Sequence, residues 1–216
     1  MNAGNGSDPA LLLARAADGD ADAWGRLLAS HQERLTGVVT FRLDPRLRGR
    51  IDAADVMQEA FISATARRTE FFAQTTQPLF LWLRWMVGNT LLELHRHHLG
   101  VQARDARREV AAGRHRDGDD STRAALVAQL TAGVTGPSTA AGRAEVGERL
   151  NEALGRMEPL DREVIALRHF EQLTSAEAAQ VLGIQERAAA KRYLRALERL
   201  REALADMPGG LAGLQP

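Results

Sequence analysis

The chain has 216 residues, 44% hydrophobic and 26% charged, the balance of an ordinary folded protein of one or two small domains. Cysteine is absent, which excludes a disulfide framework, a thiolate metal site and a cysteine nucleophile. The 28 basic residues match the 28 acidic ones, which excludes a protein that coats nucleic acid through bulk charge but allows a basic helix on an acidic scaffold. The first residues are polar, with no basic start or apolar run, and no stretch approaches a membrane span. A cytoplasmic protein without a membrane partner is expected.

Ala, Leu, Arg and Glu are abundant and period-2 alternation is absent, which predicts an all-α fold. A first helix is expected from Pro9 to about Asp18. A longer one should run from Ala21 to about Thr40, with Trp24, Leu27, Leu28 and Leu35 on its buried side. Asp44 and Pro45 break the pattern. Asp52 is a good N-cap for a helix through Val56, Ala60, Phe61 and Ala64. Gln77 and Pro78 open another, with proline in the first turn. That helix carries Phe80, Trp82, Leu83, Trp85, Met86, Leu91, Leu92 and Leu94 and reaches about His98. Residues 100 to about 142 hold few large apolar side chains and read as solvated linker, with a weak helix at about Ser121 to Leu130. Helices return at about 146–157 and 160–170. The expected architecture is two small helical domains, 9–99 and 145–206, joined by a flexible linker over 100–144.

From Leu173 to Leu200 the pattern is a helix-turn-helix. Ser175 is read as the N-cap of a short helix whose apolar side is Ala178, Ala179 and Leu182. Gly183 supplies the backbone freedom for the turn, and Ile184 fills its corner. The second helix carries Arg187, Lys191, Arg192, Arg195 and Arg199; Lys191 is the only lysine of the chain. A basic helix after a tight turn has the shape that enters a DNA major groove, although the same pattern fits a hairpin that binds nothing. Glu186, Arg187 and Ala188 lie in the first turns, which face base edges in such proteins. Arg187 is the best candidate for reading guanine. Lys191, Arg192 and Arg195 are better placed for phosphate or flanking bases.

Two further segments carry specific patterns. Asp55, Gln58, Glu59 and Phe61 lie on a helix where Asp55 and Glu59 are four apart on one face, a like-charged pair that a cationic partner would relieve. Trp82, Trp85, Asn89, Glu93 and Arg96 lie along the next long helix. Trp82 and Trp85 fit either core packing or the stacking of unpaired bases. His95, Arg96, His97 and His98 give that helix a cationic end suited to its dipole. Adjacent histidines point to different sides, so no metal site is expected. No phosphate loop, metal-ligand spacing or paired nucleophile and base is present, so neither an enzyme nor a cofactor is expected.

Taken in order, these motifs resemble the extracytoplasmic-function (ECF) class of bacterial sigma factors. Asp55, Gln58, Glu59 and Phe61 match the family's Asp-Leu-Val-Gln-Glu-x-Phe type helix. Trp82, Asn89, Glu93 and Arg96 match the spacing of its Trp-Leu-x-x-Ile-x-x-Asn-x-x-x-Asp-x-x-Arg helix, with Glu93 in place of Asp. Gly19, Asp20, Ala23 and Trp24 resemble its Gly-Asp-x-x-Ala-Phe opening. The resemblance spans about two-thirds of the chain: both helical domains but not the linker. It implies that the first motif docks on core RNA polymerase. Trp82, Trp85, Asn89 and Arg96, with the preceding loop Phe71–Gln77, would face and melt the −10 element. The helix-turn-helix would read the −35 element, and the linker would occupy the RNA exit path. It implies promoter DNA and core RNA polymerase as partners, and an anti-sigma factor is a common third, which no residue here identifies. Ala178 and Ala189 stand where the family has Ile and Val, and Arg187 where it has Gly, so the −35 sequence is not carried over.

Two other classes fit parts of the pattern. One is a stand-alone helix-turn-helix regulator with a helical sensing domain, which would bind duplex DNA unaided at paired half-sites. The other is a helical adaptor with no DNA role, which would be indifferent to charge reversal at Arg187 and Arg192.

Overall fold

The computed structural model describes residues 8–44, 47, 49–99, 116–133 and 140–204. The elements are helices: α1 (Pro9–Ala17), α2 (Ala21–Arg42), α3 (Ala53–Ala66), α4 (Arg68–Gln74), α5 (Leu79–Leu99), α6 (Arg116–Gly133), α7 (Ala140–Gly155), α8 (Pro159–Ile165), α9 (Ser175–Leu182) and α10 (Glu186–Leu204), with a π-helical turn at Ala166–Phe170. No helix among the described residues is long and apolar enough to cross a membrane. The chain divides into two compact units, one formed by residues 1–40 and 49–94 and the other by 41–48 and 95–216.

In the first unit the starts of α1, α2 and α3 follow side-chain capping. Asp8 accepts from the Ala10 N–H, with Pro9 in the first turn of α1. Asp20 accepts from the Ala23 N–H at 3.0 Å and from Arg15 Nε at 2.8 Å. These bonds to its charged form, the Ala23 amide first, hold its carboxyl below the ordinary carboxylate value. Asp52 and Asp55 form a reciprocal capping box at α3. The core contains Leu12, Trp24, Leu27, Leu28, Leu35, Val56, Met57, Phe71, Phe80, Trp82 and Leu83. Trp24 buries its ring and satisfies its indole N–H on Thr65 Oγ1 at 3.1 Å, as a buried tryptophan requires.

In the second unit Leu126, Leu150, Leu154, Val164, Ile165, Ala196 and Leu200 share one core. Residues 100–144 therefore are not all linker. Arg116–Gly133 is helical, longer than the Ser121–Leu130 helix expected, because Ala125 and Leu126 give it an apolar side that packs into this core. Residues 100–115 and 134–139, the rest of the expected linker, lie outside the described residues apart from the start of α7 at Ala140. Three charged side chains are buried here: Asp161, Arg162 and Glu171. Arg162 donates to the carbonyls of Leu154, in the last turn of α7, and Met157, just beyond it. Glu171 pairs with Arg42, which also reaches Glu163 at 2.6 Å and belongs to the same unit. Burial by itself would lower the Arg42 guanidinium pKa; the Glu163 and Glu171 carboxylates outweigh it and raise it.

Candidate nucleic-acid interface

The helix-turn-helix is α9, Gly183 to Gln185, and α10. Thr174, not Ser175, caps α9. Its hydroxyl accepts from the Glu177 N–H at 3.1 Å, and the Glu177 carboxylate accepts from the Thr174 N–H at 2.8 Å. The capping box needs an acid three residues after the cap, which Thr174 has and Ser175, followed at that distance by Ala178, lacks. Gly183 ends α9 in the left-handed region, φ 64°, ψ 32°, where glycine carries no Cβ penalty. Ala178 and Ala179 are buried as expected, and Leu182 packs partly against the core.

On α10 the cations divide by face. Ala189, Ala196 and Leu200 are fully buried and mark the inner stripe. Glu186, Arg187, Ala188, Lys191, Leu194 and Arg195 are exposed. Arg192 lies on the inner side. Its Nη1 donates to Asp161 Oδ1 at 2.7 Å and to Glu158 Oε2 at 3.0 Å. Arg199 Nη1 donates to Asp161 Oδ2 at 2.5 Å. The outward cations are thus Arg187, Lys191, Arg195 and, in the last turn, Arg201, while Arg192 and Arg199 join α10 to α8.

In the first unit α3 presents Asp55, Gln58, Glu59 and Ile62 to solvent, while Val56, Met57, Ala60 and Ala64 are buried; Phe61 is half-buried. Ile62, 60% exposed, completes an i, i+3, i+4, i+7 stripe that charge reading alone misses. Asp55 also serves the fold: its carboxylate accepts from the Asp52 N–H at 3.2 Å.

The two tryptophans of α5 part company. Trp82 is 5% exposed and packs against Phe71 and Trp24, with ring centroids 5.0 and 6.3 Å away. Trp85 is 47% exposed, with the Arg67 guanidinium 5.3 Å from its ring. Asn89 and Arg96 are half-buried and Glu93 is exposed. The stretch expected as a loop, Phe71 to Gln77, is helical through Gln74, because Phe71 is drawn into the core as part of α4. Only residues 75–78 separate α4 from α5. Among the described residues no group of three His, Asp or Glu side chains is placed to hold a metal ion.

The family described as sigma-70, region 4 matches residues 147–200, from the middle of α7 to the last turn of α10. The chain is 26% identical over 195 residues to the ECF RNA polymerase sigma factor BldN of Streptomyces coelicolor, covering 90% of this chain and 65% of BldN, just under two thirds of that relative's length. It is 27% identical over 195 residues to the RNA polymerase sigma factor CarQ of Myxococcus xanthus, covering 90% of this chain and 97% of CarQ. A solved structure of CnrH in complex with the cytosolic domain of CnrY shares the fold at 23% identity and a TM-score of 0.50, covering 94% of this chain and 99% of that one.

Proposed function

We propose that this chain is a sigma factor of the ECF class, a reading supported by its similarity to region 4, BldN and CarQ, and that it binds core RNA polymerase through the exposed stripe of α3 and reads promoter DNA at two places. Asp55, Gln58 and Glu59 supply charge and hydrogen-bond acceptors for an arginine-bearing partner surface, which favours orientation and encounter rate. Ile62 adds an apolar contact beside them. Phe61, half-buried behind the stripe, supports α3 rather than leading the contact. Trp85, exposed on α5, is the aromatic available to stack on an unpaired −10 base. Asn89 and Arg96 follow it along α5, about one and three turns on. Trp82 holds α5 and α4 together from within.

The −35 element is read by α10. The observation that carries this reading is a capped helix, a left-handed Gly183 and an outward row of Arg187, Lys191 and Arg195, all within the span matched by region 4. Arg187 stands in the first turn, where a guanidinium can take guanine O6 and N7 together. Lys191 and Arg195, one and two turns on, suit phosphates. Their counterion release makes promoter binding fall with salt. The chain acts as an initiation factor in the cytoplasm and leaves the chemistry of RNA synthesis to the polymerase. An anti-sigma factor is a further expected partner.

Co-purification with core polymerase tests the first half of this reading. A footprint of the holoenzyme on promoter DNA tests the second. Tight binding of the free chain to duplex DNA at paired half-sites, with no polymerase association, would instead favour a stand-alone regulator.

A further inference from the structure

Of the six cations on α10, Arg192 and Arg199 pair with α8. Arg192 and Arg199 fall seven residues apart, about 10 Å along the axis, at the edge of the stripe of the fully buried Ala189, Ala196 and Leu200, with side chains 32% and 55% exposed. Both end on one carboxylate: Arg192 on Asp161 Oδ1 at 2.7 Å and Arg199 on Asp161 Oδ2 at 2.5 Å. The Asp161 side chain is only 3% exposed. A buried carboxylate needs its partners, so releasing Arg192 toward DNA would leave Asp161 poorly compensated. The next residue, Arg162, donates to the carbonyls of Leu154 and Met157 at the end of α7. The short α8 is thereby tied to α7 on one side and to α10, at two points, on the other.

We propose that Asp161, Arg192 and Arg199 form a clamp that sets the angle at which α10 meets the major groove. Arg192 is then a positioning residue, and Arg187, Lys191 and Arg195 make the contacts. The clamp rests on the reading of α10 as the recognition helix. It places part of the −35 preference in residues that touch no base: a helix held at two points two turns apart cannot tilt or roll to accommodate a wrong sequence.

The test uses holoenzyme assembled from core polymerase and the full chain, with affinity for a promoter duplex and for one with a scrambled −35 element measured over a KCl series. Arg192→Gln and Asp161→Asn should each lower the preference for the correct −35 element by roughly five- to tenfold. The double variant should lose less than the sum of the two single ones, since both remove the Arg192–Asp161 pair. The slope of log affinity against log salt should stay at the wild-type value in all three, whereas Arg195→Gln should make it shallower by about 1. A slope shallower by about 1 in R192Q, with D161N binding as well as wild type or better, would overturn the clamp and make Arg192 a phosphate contact.

Should D161N lose helix content, Glu158→Gln replaces it, because Glu158 is exposed. Reduced preference at unchanged slope supports the clamp; unchanged preference in both E158Q and R192Q overturns it. If wild-type holoenzyme shows no −35 preference at all, the sigma-factor reading fails separately. The clamp is then judged by amide exchange in α10 of the free chain, expected faster in R192Q than in wild type; equal rates would overturn it.

Discussion

Trp82 and Trp85 are three residues apart on α5, and replacing each with alanine separates core packing from base capture. Trp82 is 5% exposed and makes ring contacts with Phe71 and Trp24. Truncating a buried tryptophan costs about 3–5 kcal/mol, a large part of the roughly 5–15 kcal/mol that holds a domain folded. Trp85 is 47% exposed, so about 100 Å² of its surface is covered, and at ~25 cal/mol per Å² its loss costs about 2.5 kcal/mol. Its contact with Arg67 is of the exposed kind, worth about 0.5–1 kcal/mol and partly counted in that area. Urea unfolding of the full chain followed by circular dichroism should place W82A well below W85A in midpoint. Permanganate reactivity of promoter thymines, with both variants kept well below their unfolding midpoints, should show the reverse order. W85A loses a stacking platform worth about 1–3 kcal/mol per base, and W82A opens DNA in proportion to its folded fraction. If W85A opens the promoter like wild type, or W82A unfolds at the wild-type midpoint, the division of roles is wrong.

Gly183→Ala introduces a Cβ at φ 64° with nothing within 4 Å of it, so the penalty is backbone strain of about 1 kcal/mol rather than a clash; the melting temperature should fall slightly and −35 binding with it. Glu59→Arg should abolish co-purification with core polymerase while circular dichroism stays unchanged, since Glu59 is exposed. Asp55→Arg is a poorer probe, because it also removes half of a capping box, worth about 1 kcal/mol. Asp20, held below the usual carboxylate value by the Ala23 amide and Arg15, stabilises the fold above its unfolded pKa. That contribution is lost as pH falls through the folded value. Asp20→Asn still caps α2 but does not titrate, so its thermal stability should decline less than wild type below about pH 4.

Much of this arrangement was legible from residue order. Asp52 with Asp55, Pro78 before α5 and Gly183 at the turn are local signals whose mechanism acts within four residues, and each marks a real boundary. What spacing could not decide was depth. Positions three apart on a helix are neighbours, so nothing local says that Trp82 is buried and Trp85 exposed; that depends on Trp24 and Phe71, distant in sequence. Counting cations on α10 gathered five residues into one group. The phase of Ala189, Ala196 and Leu200 instead sets Arg192 and Arg199 at the edge of the buried stripe, within reach of Asp161. The segment 100–144 read as linker because its apolar residues are few, yet Ala125 and Leu126 suffice once α7 and α8 supply a surface. Phe71–Gln77 reads as a loop for a similar reason: seven-residue helices such as α4 leave little periodicity to detect.

The central claim is that this chain directs promoter-specific initiation by core polymerase. Run-off transcription with purified core RNA polymerase, the purified chain and genomic fragments tests it most directly. Discrete transcripts that require the chain and disappear with Glu59→Arg are the predicted result. Absence of any chain-dependent transcript, together with failure to co-purify with polymerase, would contradict it.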